Sequence, residues 1–240
     1  MKHSVAMLHG VKKIGIVGGI AWLSTMHYYE QICTRSEATF GVTPEFSIES
    51  LDLRKAFSLL GEIDDESSWR GFDAYHREAL SRVARSGAEV ALLAANTPHH
   101  RFAQITGGIA VGVVSVVDAV AKALRSVGLD RALLLGTSLT MASPVIRARF
   151  AEAGVGIEVP PQEQRAKVID VIERIQRGGR TGAGTEIAQL GHGRPVILGC
   201  TELAFAFPGV AATSDFLWEG SRYFNSLAIH VAATLDAASR

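Results

Sequence analysis

The sequence predicts an α/β protein built as two similar domains with parallel sheets. Short β-rich apolar runs alternate along the chain with longer segments whose apolar residues recur at helical spacing. Two turn sequences also recur. IVGG followed by Ser24-Thr25 resembles LLGTSLT (134–140), and LLAANT (92–97) resembles ILGCTE (197–202), each at the carboxyl end of an apolar strand. A chain of 240 residues suits one large domain or two of about 100–120 residues, and the internal likeness favours two. The expected division is 1–114 plus 215–240 for one domain and 115–214 for the other.

Residues 13–17 (KIGIV) read as a buried strand ending at Gly18-Gly19, after which Ser24 and Thr25 open a helix continued by Tyr28, Tyr29 and Arg35. Residues 45–53 alternate well enough for a second strand. Residues 64–86 place Phe72, Tyr75, Ala79, Leu80 and Val83 at helical spacing, with Gly87 as the stop. A third strand spans 89–93. The scheme repeats with strands at 112–114 and 131–135 and helices at 116–125 and 143–153. A strand at 156–159 and a helix at 165–176 with Val168, Val171, Ile172 and Ile175 on one stripe come next. A weaker Gly/Ala-rich helix at 181–190, a strand at 195–198 and a last helix at 225–237 complete the reading. Alternating strands and helices argue for parallel sheets covered on both faces.

With 48% hydrophobic residues the chain is not disordered, and 24 Lys+Arg against 24 Asp+Glu give no electrostatic reason to expect nucleic acid or an anionic membrane. No apolar run approaches the ~18 residues of a membrane span. Residues 1–13 have scattered basic residues without a continuous apolar core, which predicts no secretory leader. Two cysteines are too few for a disulfide framework, so a reducing cytoplasm is the expected compartment.

Cys200 follows a buried strand at the start of an expected helical turn, where free backbone N–H groups and the helix dipole stabilise a thiolate. Core filling is the alternative, but Gly199, Thr201 and Glu202 are poor packing residues. Cys33, inside a helical run, reads as packing. Asn96 with Thr97, and Gly136, Thr137, Ser138 and Thr140, supply N–H and O–H groups for a small carboxylate; ordinary helix capping is the competing reading. His99 and His100 follow directly, one expected near the cleft and the other at the surface. Lys167 and Arg54 are candidate counter-ions for an acidic substrate or solvated surface charges. IGIVGGIAWLS lacks dinucleotide spacing, GGIAWLST lacks the lysine of a phosphate loop, and no His/Cys/carboxylate group has metal-ligand spacing.

KIGIVGGIAWLSTMHYYEQI, LLAANTPHH, LLLGTSLTM, EQRAKVIDVI, VILGCTELAF and YFNSLAIHVAATL, in that order and spacing, resemble the cofactor-independent aspartate/glutamate racemase superfamily. The likeness spans nearly the whole chain after the first dozen residues, and CTE (200–202) is its most specific single motif. It implies two Rossmann-like, flavodoxin-like domains related by pseudo-twofold symmetry, with the active site in the cleft between them. It implies a small acidic amino acid, aspartate or glutamate, as substrate, no pyridoxal phosphate or metal, and a homodimer. Carried over, Cys200 is one of the two catalytic thiols. Ile20 and Ala21 match a turn facing the substrate, and Asn96, Thr97, Thr137, Thr140 and Thr201 match carboxylate-binding positions. Lys167 matches a lysine for the distal carboxylate, and Arg54 loosely matches a substrate arginine. Glu202 replaces the histidine that cell-wall-type glutamate racemases carry after CT, and Asn225 stands where relatives often have Asp.

The other catalytic thiol would fall at Ala95, which has no titratable group. A racemase handles protons on both faces of a carbanion, so three outcomes stay open. Water, His99 or Thr97 serves the vacant face; Cys200 protonates a carbanion made another way, as in a decarboxylase; or the protein binds an acidic amino acid without turning it over.

Overall fold

The computed structural model describes residues 10–240; residues 1–9 of the segment read for a leader lie outside them. The chain runs β1 (Ile14–Gly18), α1 (Trp22–Phe40), β2 (Phe46–Ser50), α2 (Leu53–Ser58), α3 (Arg70–Arg85), β3 (Val90–Leu93), α4 (Phe102–Thr106) and β4 (Gly112–Val114). The second half runs α5 (Val116–Ser126), β5 (Arg131–Leu135), α6 (Ser138–Ala142), α7 (Pro144–Glu152), β6 (Gly156–Glu158), α8 (Gln162–Gln176), α9 (Ala183–Gly191) and β7 (Val196–Leu198). A hairpin of β8 (Asp215–Trp218) and β9 (Ser221–Asn225) leads into α10 (Ser226–Ala238).

These strands form two sheets. The first has the order β2-β1-β3-β4 and is parallel throughout; the second has the order β6-β5-β7-β9-β8, with only β8 antiparallel. β1, β3 and β7 are apolar or glycine at every position because each sheet is covered there on both faces. Ile14 and Ile16 pack against Tyr28 and Ile32 of α1, while Val17 and Leu93 pack against Phe72, Leu80 and Val83 of α3. In the second sheet Leu133 and Leu135 meet Val168, Ile172 and Ile175 of α8, and Leu134 meets Val120, Ile146 and Phe150 of α5 and α7. Each fully buried aliphatic side chain contributes roughly 1.5–3 kcal/mol. The last helix serves both halves: Leu227, Val231 and Leu235 enter the first core, and Ile229 enters the second.

The expected division is corrected at its second boundary. β9 pairs with β7 and β8 pairs with β9, so residues 215–225 extend the second sheet; the chain returns to the first half only at Ser226. Phe216 and Tyr223 stack on each other there, and Phe207 meets the first edge-on and the second at a tilt, so aromatic packing holds the hairpin on the second half. The expected helix over 64–86 divides into a 3-10 turn, Glu66–Trp69, and α3, because the Asp65 carboxylate accepts from Ser67 N at 2.9 Å and starts the turn early. Short helices α2, α4 and α6 follow the strand-end turns and were not expected. None of the described helices is long and apolar enough to cross a membrane.

Candidate active site

The carboxyl ends of β1, β3, β5 and β7 open on one small chamber of about 60 Å³. Its wall is Ile20 and Ala21 after β1, Ala95, Asn96 and Thr97 after β3, Thr137 after β5, and Gly199 to Glu202 after β7, with Phe57 and Gln176 at the side. Strand ends are where open α/β sheets bind ligands. Two glycines allow the turns to close. Gly19 has φ +91°, and a Cβ there would lie 2.3 Å from the Leu51 carbonyl oxygen. A Cβ on Gly199 would lie 2.5 Å from Leu134 Cδ1 and 2.9 Å from the Leu135 carbonyl oxygen.

Cys200 is extended (φ −131°, ψ 132°) immediately before the 3-10 turn Thr201–Ala206, only 6% exposed but lining the chamber. Its thiol donates to Glu202 Oε2 at 2.9 Å. Burial first, then the Glu202 charge and the hydrogen bond to it, push the thiol well above its ordinary value, so sulfur holds its proton at rest. Glu202 is itself buried and collects donors: Thr201 Oγ1 at 2.9 Å to Oε2, and Ser24 Oγ and Gln176 Nε2 at 3.5 Å each to Oε1. Ser24 also bonds the Thr201 hydroxyl, which joins the first turn of α1 to the cysteine turn.

The threonine turns divide into a facing layer and a supporting one. Thr97 and Thr137 line the chamber, their hydroxyls 3.5 Å apart. Thr140 lies behind, 3% exposed, bonding Thr137 Oγ1 at 2.9 Å through its hydroxyl and donating its backbone N–H to the same oxygen at 3.2 Å. Thr140 is therefore a support for Thr137, not a wall residue. Asn96 lines the chamber and donates to Ser226 Oγ at 3.2 Å, tying the first half to α10. At α1 no side chain caps the N-terminus, and Ile20 and Ala21 there face the chamber. A helix of 19 residues thus directs uncapped N–H groups and the positive end of its dipole toward the cavity.

Several sequence-based candidates lie elsewhere. Lys167 is exposed on α8 and lines a separate surface depression with Gln164, Glu186 and His192. The helix turns Ile169, Ile172, Glu173 and Gln176 toward the cleft instead. Arg54 is exposed on α2, whose Ala56 and Phe57 line the cleft instead. His99 and His100 are both buried, against the expectation of one at the surface. His99 Nδ1–H donates to the Ala95 carbonyl at 3.0 Å and Nε2 accepts from Val116 N at 3.2 Å, so both ring nitrogens are engaged. Burial lowers its pKa to about 3, which leaves a neutral structural imidazole and no spare base. Asn225 caps α10, accepting from Ala228 N at 3.3 Å. Cys33 is half-buried on α1.

Glu202 as hydrogen-bond acceptor of the thiol, Ser24, Gln176 and Phe57 were missed by sequence reasoning. Ser24 had a signal, as a hydroxyl in the first turn after Gly18-Gly19. Gln176 had a weaker one, closing the α8 stripe one residue after Ile175.

Beside the thiol chamber, and sharing Ile20, Phe57, Thr97, Thr137 and Gln176 with it, is a larger cavity of about 320 Å³. Its further lining is Ala56, Leu60, Phe72, Ser138, Leu139, Ile169, Ile172 and Glu173.

Comparison with known proteins agrees with this geometry. An aspartate racemase homologue from Pyrococcus horikoshii is 30% identical, with 95% of this chain and 100% of that one covered and a TM-score of 0.80. A putative Asp/Glu racemase from Yersinia pestis is 24% identical over 95% of this chain and 100% of that one, also at 0.80, and shares the fold. So does an aspartate racemase from Picrophilus torridus, 18% identical over 95% and 94% of the two chains, at 0.72. The family model described as Asp/Glu/Hydantoin racemase matches residues 17–234. Two sheets of mainly parallel strands, four strand-end turns on one chamber and a match over most of the chain together place this protein in the Asp/Glu/Hydantoin racemase family.

Proposed function

We propose that this protein is a cofactor-independent proton-transfer enzyme of the amino-acid racemase type. It acts at the α-carbon of a small carboxylic acid, with Cys200 as the one thiol acid/base at that carbon. The observation that carries this reading is the Cys200 thiol lining the chamber while hydrogen-bonded to Glu202 at 2.9 Å.

The substrate carboxylate lies against the Thr97 and Thr137 hydroxyls and the uncapped N-terminus of α1. For proton abstraction, the thiol proton passes to Glu202 and the thiolate takes the α-proton. The C–H electron pair moves into the carboxylate and forms a doubly charged enediolate. Preorganised donors aimed at that charge supply the largest catalytic contribution. Returning the proton from sulfur restores the starting enantiomer. Inversion needs a proton from the Ala95 side, where a water beside the Thr97 hydroxyl is the donor, and the hydroxide it leaves is neutralised by the proton that Glu202 took from sulfur; His99 has no free nitrogen.

A second reading is favoured by the thiol being held protonated at rest. Loss of CO₂ from a substituted malonate leaves the C–C electron pair on the α-carbon, and the Cys200 thiol supplies the proton to one face. The resulting thiolate recovers its proton from water.

Proton NMR in deuterated water tests both. Exchange at the α-carbon of at least one L- or D-amino acid, from a set with acidic side chains (aspartate, glutamate) and apolar ones (phenylalanine, leucine), is expected and should vanish in Cys200→Ser. Exchange that survives this substitution, or its absence for every acid with folded protein, would overturn the reading. CO₂ release from substituted malonates without α-exchange would favour the second.

A further inference from the structure

We infer that, with the threonine turns holding the carboxylate as proposed above, the group on the substrate α-carbon is apolar, an aryl or branched alkyl substituent and not a second carboxylate. The larger cavity opens directly from the thiol chamber, and its volume of about 320 Å³ lies at the lower end of small-ligand pockets. Its walls come from three elements: Ala56, Phe57 and Leu60 of the α2 region, Phe72 of α3, and Ile169 and Ile172 of α8. The charged groups lining the two chambers are Glu173 and Glu202, both acidic, with no lysine or arginine among the described lining residues. A distal carboxylate placed there would lose water, meet like charge and find no cationic partner. The two cations that sequence pattern offered for that role, Lys167 and Arg54, lie outside both chambers.

An apolar substituent meets the opposite conditions. Phe57 and Leu60 stand 58% and 38% exposed at the mouth of the cavity, so an aromatic ring seated between them would remove apolar surface on both partners from water. Thr97 and Thr137 border both chambers, so one molecule can keep its carboxylate on the hydroxyls while its substituent extends over Ile172.

Calorimetry tests the substrate class without relying on turnover. Phenylacetate should bind at least about tenfold more tightly than succinate or aspartate. Leu60→Arg, at a partly exposed position, should weaken phenylacetate and strengthen succinate, narrowing or reversing that ratio. Phe57→Ala should weaken phenylacetate severalfold more than it weakens succinate. Equal or tighter binding of the dicarboxylates, or no binding of phenylacetate, would overturn the inference while leaving Cys200-dependent proton exchange on aspartate or glutamate intact. Conversely, tight phenylacetate binding with no Cys200-dependent exchange on phenylalanine or leucine would support the substrate class and sink the proton-transfer reading.

Discussion

Ala95→Cys places a thiol on the side of the chamber that has none. Ala95 stands two residues beyond β3, half-buried and on the chamber wall, so one added sulfur projects into open space and leaves the core packing alone. The backbone there is already held, because the Ala95 carbonyl accepts from His99. The stability change should therefore stay below about 1 kcal/mol, within the range of substitutions that neither cut a cavity nor overpack a core. The catalytic change should be much larger. A positioned acid/base residue contributes about 10²- to 10⁴-fold, or roughly 2.7–5.5 kcal/mol of barrier. That gain should appear in inversion and not in exchange with retention, since only the Ala95 face acquires a proton carrier. Chiral chromatography reports inversion, and NMR of the same samples in deuterated water reports exchange. If Cys200-dependent exchange persists in a folded Ala95→Cys protein and inversion rises less than about threefold, the vacant face is not what limits racemisation.

Further expectations concern other parts of the site. Glu202→Gln removes the negative charge that helps hold the proton on sulfur, so Cys200 should alkylate faster at neutral pH, with half-buried Cys33 as internal reference; an unchanged ratio would show that the Glu202 charge does not control the thiol. Lys167→Ala should alter turnover by less than about twofold, because its side chain faces a separate depression; a large rise in KM would place the lysine in the substrate site after all. Gly199→Ala should cost about 1–3 kcal/mol in urea denaturation through contact with Leu134 and Leu135. His99 and His230 are buried and neutral, with pKa values lowered from 6.5 to about 3 and about 4. The unfolded chain binds the extra protons, so stability should fall as pH drops from 6.5 toward 4, by up to about 1.4 kcal/mol per pH unit for each ring. Urea midpoints that stay flat over this range would contradict that.

Most of the architecture was legible because buried parallel strands are apolar at every position and amphipathic helices are not. The strand-end turns were legible for a related reason: Gly, Thr, Asn and Cys interrupt those apolar runs abruptly. The hairpin at 215–225 was not read, although Phe216, Trp218 and Tyr223 flank a two-residue turn. That turn places Glu219 at φ +42° and Gly220 at φ +79°, and a glutamate lacks the Asn or Asp signal of such turns. Lys167 shows a different limit. Periodicity located the apolar stripe of α8 correctly, but a lysine one position from Val168 points around the helix, and only the packing of α8 on α9 shows which side. The role of Glu202 was hidden because a carboxylate two residues from a cysteine has no sequence signature for donating or accepting.

The final helix belongs to both cores, with Leu227 and Val231 in one and Ile229 in the other, while Ser226 links Asn96 to the Leu198 carbonyl. The walls of the cleft are consequently fastened along a common spine, and neither half can melt away while the other persists. Heating or urea should dismantle the whole molecule in one step, taking the thiol chamber with it.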